Sequence, residues 1–389
     1  MSILRVQKIR HTGSDTDVID IANDGTCNVN LSNRQGKNLV VNGACLISQR
    51  ATSNTAGGDG YYTVDRFYYY NQGIDNDVTK AQADVASGTT PYSLGFRKSF
   101  KLTNGNQSGG VGTNDMIVFD YKLEAQDIAN SGWNYTSSSS FITLSFWVKS
   151  SVAQNFYVRL KTSDGTAQNY TFETGSLTQD TWTKITKTIE GNSNLQFNND
   201  NEEGLDIEWS LFRGTDSTGS MSLNAWAADN TSIRTPDQTS TWYTTNNATF
   251  EITGVQLEVS DHATEYDHKS YADELQRCKR YFQIVARHHS NGADFFALGS
   301  AYGTSQPEVI IRWETEMRTA PSLEIADGTN YYQFSNAGNA LNFNNFQIWN
   351  PTTRSALLFK SGGPTTTNGM VYRAVTNDAN AYIYVTAEL

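Results

Sequence analysis

Residues 252–283, ITGVQLEVSDHATEYDHKSYADELQRCKRYFQ, divide the chain and decide how both halves are read. The stretch opens as a strand, passes through a polar loop and closes with helical spacing. Phe250 and Ile252 share one strand phase, while Val255, Leu257 and Val259 occupy the other. A β-bulge at Thr253-Gly254 brings all five back to one inward face, because a bulge inserts one unpaired residue and glycine tolerates the unusual backbone. Ser270 stands as an N-cap, with Asp273 three residues on. Tyr271, Leu275, Cys278, Phe282 and Val285 then follow at spacings of four, three, four and three, which makes one apolar stripe. Asp273 and Arg277 are placed to pair on another face. A helix of roughly four turns is marginal alone. The stripe must therefore dock, on the chain's own sheet or against symmetry mates near an axis.

Working outward toward the N-terminus, the pattern has period two. Ile117, Phe119, Tyr121 and Leu123 alternate with Asp120 and Lys122; Ile142, Leu144, Phe146 and Val148 alternate with Thr143, Ser145, Trp147 and Lys149. Phe156, Val158 and Leu160 alternate with Tyr157, Arg159 and Lys161, and Leu205, Ile207, Trp209 and Leu211 with Asp206, Glu208 and Ser210. One apolar and one polar face means antiparallel sheets, and many such strands between Gly/Asn/Ser turns mean a β-sandwich or jelly roll. Beyond the stretch, strand-like runs resume near 308–313, 331–334, 343–349, 357–360, 370–375 and 381–385. The expected architecture is all-β. Residues 1–37 form an N-terminal anchoring segment, 38–268 a jelly-roll β-sandwich, 269–286 one linking α-helix, and 287–389 a small C-terminal β-domain. The first segment has short alternating pieces at 3–6 and 18–21 and a turn signal, Asn23-Asp24-Gly25. It is too small to bury a core of its own. It needs copies of itself or another protein, or else it is a frayed arm or an edge strand.

Composition narrows the function. The 389 residues carry 29 Lys and Arg against 40 Asp and Glu, a net charge of −11. No basic cluster is present to neutralise phosphates, which argues against nucleic acid and anionic membranes. Cys27, Cys45 and Cys278 are too few and scattered for a disulfide framework, and no Cys/His spacing suits zinc. The opening MSILRVQKIRHTG has no signal-peptide core, and no apolar run approaches a membrane span. The expectation is a protein folded in the cytosol that uses no cofactor or metal.

Chemistry is sparse. There is no GxSxG elbow, and His288-His289 has no acidic orienter nearby. Asp200, Glu202, Glu203, Asp206 and Glu208 are the richest acidic cluster. Paired carboxylates suit glycoside hydrolysis, and the 199–203 loop a calcium ion. Alternation, however, puts Asp206 and Glu208 on a solvated strand face, so no catalytic residue is assigned. Aromatic rings in Asn/Ser/Thr-rich loops are the better lead: Trp133, Tyr135, Trp226, Trp242 and Tyr243. Such rings either stack on sugar C–H faces, with neighbouring amides and hydroxyls bonding the sugar hydroxyls, or plug the ends of the sandwich.

NLVVNGACLISQRATS followed by YYTVDRFYYY, then FITLSFWVKS, then the 252–283 stretch, resemble the opening, central and closing motifs of a carbohydrate-binding-like β-sandwich family of phage tail fibres and related virion proteins. MSILRVQKIRHTGSDTDVIDIANDG resembles the anchoring segments that begin many marine-phage fibre proteins. The resemblance spans about residues 1–285. It implies a homotrimeric virion fibre, assembled in the host cytoplasm, attached to a phage tail or adaptor protein through residues 1–37 and displaying β-domains toward bacterial surface glycan. It supplies no catalytic residues.

Overall fold

The computed structural model describes residues 8–10, 17–21, 27–29, 36–289 and 292–389. The Ile3-to-Val6 piece and the Asn23-Asp24-Gly25 turn lie outside these residues. Strands Lys8–Arg10, Asp17–Ile21 and Cys27–Val29 pair antiparallel as a small separate sheet. The rest is all-β. Two six-stranded antiparallel sheets form a sandwich, and a three-stranded and a seven-stranded sheet follow it. Among the described residues no helix is long and apolar enough to cross a membrane.

In the front sheet the order is Trp226–Ala228, Gln168–Ser176, Asn155–Thr162, Glu203–Arg213, Met116–Glu124, Phe67–Gln72. In the back sheet it is Thr183–Glu190, Phe141–Ser150, Thr249–Val259, Lys98–Thr103, Thr79–Asp84, Ser53–Asn54. The alternating apolar sets face one another between the sheets. Trp209 stacks on Phe119 with centroids 5.0 Å apart and meets Phe146 edge-on at 5.7 Å. Offset and edge contacts suit the ring quadrupole, so each large ring adds to the gain from burial.

The bulge forms where the two hydrophobic phases collide. The register of Thr249–Val259 against Phe141–Ser150 shifts between Thr253 and Gln256, and Gly254 has φ +64°. A Cβ at Gly254 would meet the Phe96 ring at 2.6 Å. Gly254→Ala should therefore cost about 3 kcal/mol, combining left-handed backbone strain with displacement of Phe96. Urea unfolding measures it, and a cost near zero would mean that the bulge relaxes freely.

The closing loop fixes the point where the chain enters the sandwich. Asp267 Oδ2 accepts from the backbone N–H groups of Gly36 (2.8 Å) and Asn38 (3.4 Å). The Asn38 amide donates to Val255 O and accepts from Leu257 N, while Leu39 N donates to Leu257 O.

The helix is shorter than its spacing suggests. It spans Tyr271–Cys278, and Phe282–Arg287 is a strand paired with Tyr382–Thr386. Ser270 caps it as read, accepting from Asp273 N at 3.1 Å. Cys278 is buried against Val41 and Ile47, with Leu275 half-buried beside them, so the helix docks on its own chain. Phe282 is fully buried, but from the strand. Tyr271 leaves the stripe: it sits in the first turn, beyond the Val41–Ile47 floor, and is 62% exposed. Arg277 pairs with Glu274 at 3.6 Å rather than with Asp273, because Glu274 is buried and faces it one turn away.

A second core builds around Tyr332, Phe334, Phe343, Phe346 and Ile383. Ion pairs join it to the sandwich. Glu388 pairs with Arg66 and lies 3.4 Å from Arg50. Arg280 reaches Glu124 through two 2.7 Å bonds, and Tyr281 Oη donates to the same carboxylate at 2.6 Å. On the outer face of the seven-stranded sheet, Trp349, Leu357 and Ile310 are directly opposed across strands, with Leu298 on the next one. Leu298 and Ile310 are each 70% exposed, which makes this an open apolar row.

Candidate functional site

Two adjacent inner strands of the front sheet, Met116–Glu124 and Glu203–Arg213, turn Asp120, Asp206 and Glu208 outward by simple alternation. Register sets their neighbours. Tyr68, Asp120, Glu208, Arg159 and Thr171 are opposed in one row across five strands. Lys122, Asp206, Lys161 and Asn169 make the adjacent row. Half-buried Tyr68 and Tyr70 stand along one side, and Asp229, Thr231 and Arg234 along the other. Together they enclose a cleft of ≈ 360 Å³.

This face is not a solvated rim. Asp206 and Glu208 are both buried, and so are Asp120, Arg159 and Arg213. Alternation says which way a side chain points but not what covers it. Here long Arg and Lys stems and the segment carrying Asp229 and Arg234 close over the carboxylates. Glu208 lies 2.7 Å from Arg213 and 3.7 Å from Arg159, and Arg159 also bonds Asp229. Lys122 reaches Glu203 at 3.0 Å.

Several floor atoms nonetheless have no hydrogen-bond partner among the described residues: Asp120 Oδ1, Asp206 Oδ1, Glu208 Oε1, Arg159 Nε and Arg213 Nε. Buried polar atoms without partners are rare. Their concentration under one cleft makes this the candidate site.

Burial, and then the Asp206 and Glu208 charges, push Asp120 well above the usual carboxylate range. Burial, then Glu203 and Glu208, push Asp206 up to about 7. Burial also works against ionisation of Glu208, but Arg213 and Arg159 outweigh it and hold this carboxyl low. Adjacent carboxyls cannot all ionise. At neutral pH the floor thus offers carboxyl O–H donors, a carboxylate acceptor and guanidinium donors. Hydroxyl groups, which donate and accept at once, match that set.

For Asp206 the folded chain holds a proton that the unfolded chain releases near pH 4, so stability falls as pH rises from about 4 to about 7. Asp206→Asn removes this loss. The gain over the parent should be about 3 kcal/mol larger at pH 8 than at pH 4.5. Urea titrations at both values measure it, and a gain independent of pH would show Asp206 ionising normally.

The aromatic residues singled out by their polar neighbourhoods are not in the cleft. Trp133, Trp242 and Tyr243 are core residues. Trp133 donates to Ser140 O and packs on Phe197 at one end of the sandwich. Trp242 donates to Thr249 O, and Tyr243 stacks on Phe212 and bonds Asp115, at the other end. Burial removes these three as sugar platforms; they plug the sandwich. Tyr135 is half-buried against Phe197, and Trp226 is half-buried against Tyr170 with its N–H on Glu190 O. The residues that line the cleft could have been found from the strand alternation, because Tyr68, Asp120, Arg159 and Glu208 all fall on outward phases.

No family model matches the sequence, and no curated protein matches it. Solved structures with related shape include a bacteriophage CBA120 tailspike protein 4 enzymatically active domain (12% identity, TM-score 0.32, 58% of this chain and 22% of that one). Others are a putative sugar binding protein from Bacteroides thetaiotaomicron (10%, 0.29, 57% and 100%) and a family 11 carbohydrate-binding module from Clostridium thermocellum (12%, 0.25, 52% and 92%). This chain thus spans about a fifth of the tailspike structure. Likenesses of this size carry no weight on function.

Proposed function

We propose that the protein is a structural component of a bacteriophage virion, a homotrimeric tail fibre that attaches through residues 1–37 and binds host cell-surface glycan in the front cleft. The observation that carries the binding is the set of buried donors and acceptors on the cleft floor that have no partner among the described residues, beside the rings of Tyr68 and Tyr70. Phenol rings suit sugar C–H faces, and the mixed floor suits hydroxyls. The fibre assignment draws on the opening, central and closing motifs of the sequence.

The cleft binds without cleaving, in this reading, because its ionised carboxyls are tied to cations, Glu208 to Arg213 and Arg159 and Glu203 to Lys122. Incubation with host envelope glycan should release no reducing ends; release that stops in Glu208→Gln would make the protein a depolymerase. The binding test is a surface coated with purified host glycan. Tyr68→Ala/Tyr70→Ala should weaken retention roughly tenfold or more, since each stacked ring contributes on the order of 1 kcal/mol. Unchanged retention would sink the cleft assignment. Mass in solution tests the trimer.

A virion adaptor or capsid-decorating fibre without receptor contact is the second reading. The open apolar row of Leu298, Ile310, Leu357 and Trp349 favours it, because such a row suits a protein partner.

A further inference from the structure

The outer face of the back sheet, on the far side of the sandwich from the cleft, holds a second and smaller pocket of ≈ 260 Å³. Three rings make its wall. Phe96 lies 4.9 Å from Tyr266 and 5.0 Å from His268, and Tyr266 and His268 meet edge-on at 4.8 Å. His268 is held in place by a 2.9 Å contact between Nε2 and Leu94 O. Trp147 belongs to the polar phase of Phe141–Ser150, so its ring points away from the main core and remains half-exposed at the pocket. The bulge shapes the back of the pocket: Gly254 has no side chain, and the Phe96 ring occupies the space a Cβ would need.

The rim restricts the ligand. Exposed Lys184 and Glu265 both line it, one of each sign. An anion would face Glu265 and a cation would face Lys184, so neither is favoured over a neutral molecule. A purely alkyl ligand would strip water from both charged groups without replacing their hydrogen bonds, which is costly. A neutral molecule with one apolar face and a hydroxylated edge meets both requirements, and the pocket volume limits it to about one ring.

We propose that this pocket is a second saccharide site that takes a single neutral pyranose residue, its C–H face on Trp147 and its hydroxyls toward Lys184 and Glu265. The site is independent of the front cleft and shares no residue with it. With both occupied, one sandwich holds two glycan segments on opposite faces. Such bivalency raises retention on a dense glycan surface without any new contact.

Saturation-transfer NMR on the full chain tests this, with methyl α-glucoside, methyl α-galactoside, methyl α-mannoside and N-acetylglucosamine as probes. At least one should receive saturation from the parent protein. The signal should persist in Tyr68→Ala/Tyr70→Ala and, in that background, fall roughly tenfold when Trp147→Ala is added, the effect of one stacked ring. Leu94→Trp is the second variant: Leu94 is exposed at the pocket mouth, so the larger ring fills the pocket without entering a core. Added to Tyr68→Ala/Tyr70→Ala, it should abolish the remaining signal while the thermal midpoint stays within a few degrees. Transfer to none of the four probes overturns the proposal, as does a signal unchanged in both pocket variants. A signal lost in the front-cleft variant but kept in Trp147→Ala also overturns it and assigns the sugar to the cleft.

Discussion

Glu388→Ala should destabilise the protein by about 3–5 kcal/mol, the usual effect of leaving a buried charge without its partner. Arg66 is 1% exposed and sits 3.5 Å over the Tyr281 ring, with Tyr121 beyond, so its guanidinium cannot turn to water when Glu388 is lost. One donor remains satisfied, since Arg66 Nη2 donates to Lys122 O at 2.6 Å. The charge does not. Arg50, also largely buried, loses the same carboxylate. The paired control is Arg66→Met with Glu388→Met, which replaces both charges by apolar volume and should recover most of the loss. Guanidinium unfolding of the three chains decides the point. A single-variant loss under about 1 kcal/mol would mean that the surrounding rings and carbonyls compensate Arg66 by themselves.

The second large effect is at the cleft floor. Glu208→Ala leaves Arg213 and Arg159 buried with one carboxylate fewer between them, and should also cost about 3–5 kcal/mol. Arg159 keeps Asp229, whereas Arg213 keeps no ion pair among the described residues, so the loss falls mainly on Arg213. Glu208→Ala/Arg213→Met should return stability close to that of the parent while leaving glycan retention impaired. That split separates holding the floor together from presenting it to a ligand. If the double variant binds glycan as the parent does, the Glu208–Arg213 pair has no part in recognition.

Which parts of this were legible in the sequence follows from the range of each interaction. The strand alternation was legible because each strand records its own two faces. The bulge was legible because Phe250 and Ile252 conflict in phase with Val255 and Leu257, and a single glycine lies where the conflict falls. The helix end was not. Phe282 and Val285 continue the helical spacing, but pairing with Tyr382–Thr386, about a hundred residues away in sequence, makes them a strand. The loop aromatics misled for a similar reason: polar neighbours describe a loop's exposed side, while Trp133, Trp242 and Tyr243 fold inward over the sandwich ends. The cleft was half legible. The outward phases of Asp120, Asp206, Glu208 and Arg159 are local, but their burial depends on Asp229 and Arg234, which arrive from elsewhere in the chain.

The hydrogen bonds around Asp267 have a mechanical meaning. Any pull on the chain before Gly36 enters the sandwich at Gly36, Asn38 and Leu39. There five hydrogen bonds, two to Asp267 and three between Asn38 or Leu39 and the Val255–Leu257 backbone, share the load. The force passes to a central back-sheet strand gripped on both sides by Phe141–Ser150 and Lys98–Thr103, not to an edge strand that could peel away. A tether placed at that point is anchored in the middle of the sandwich.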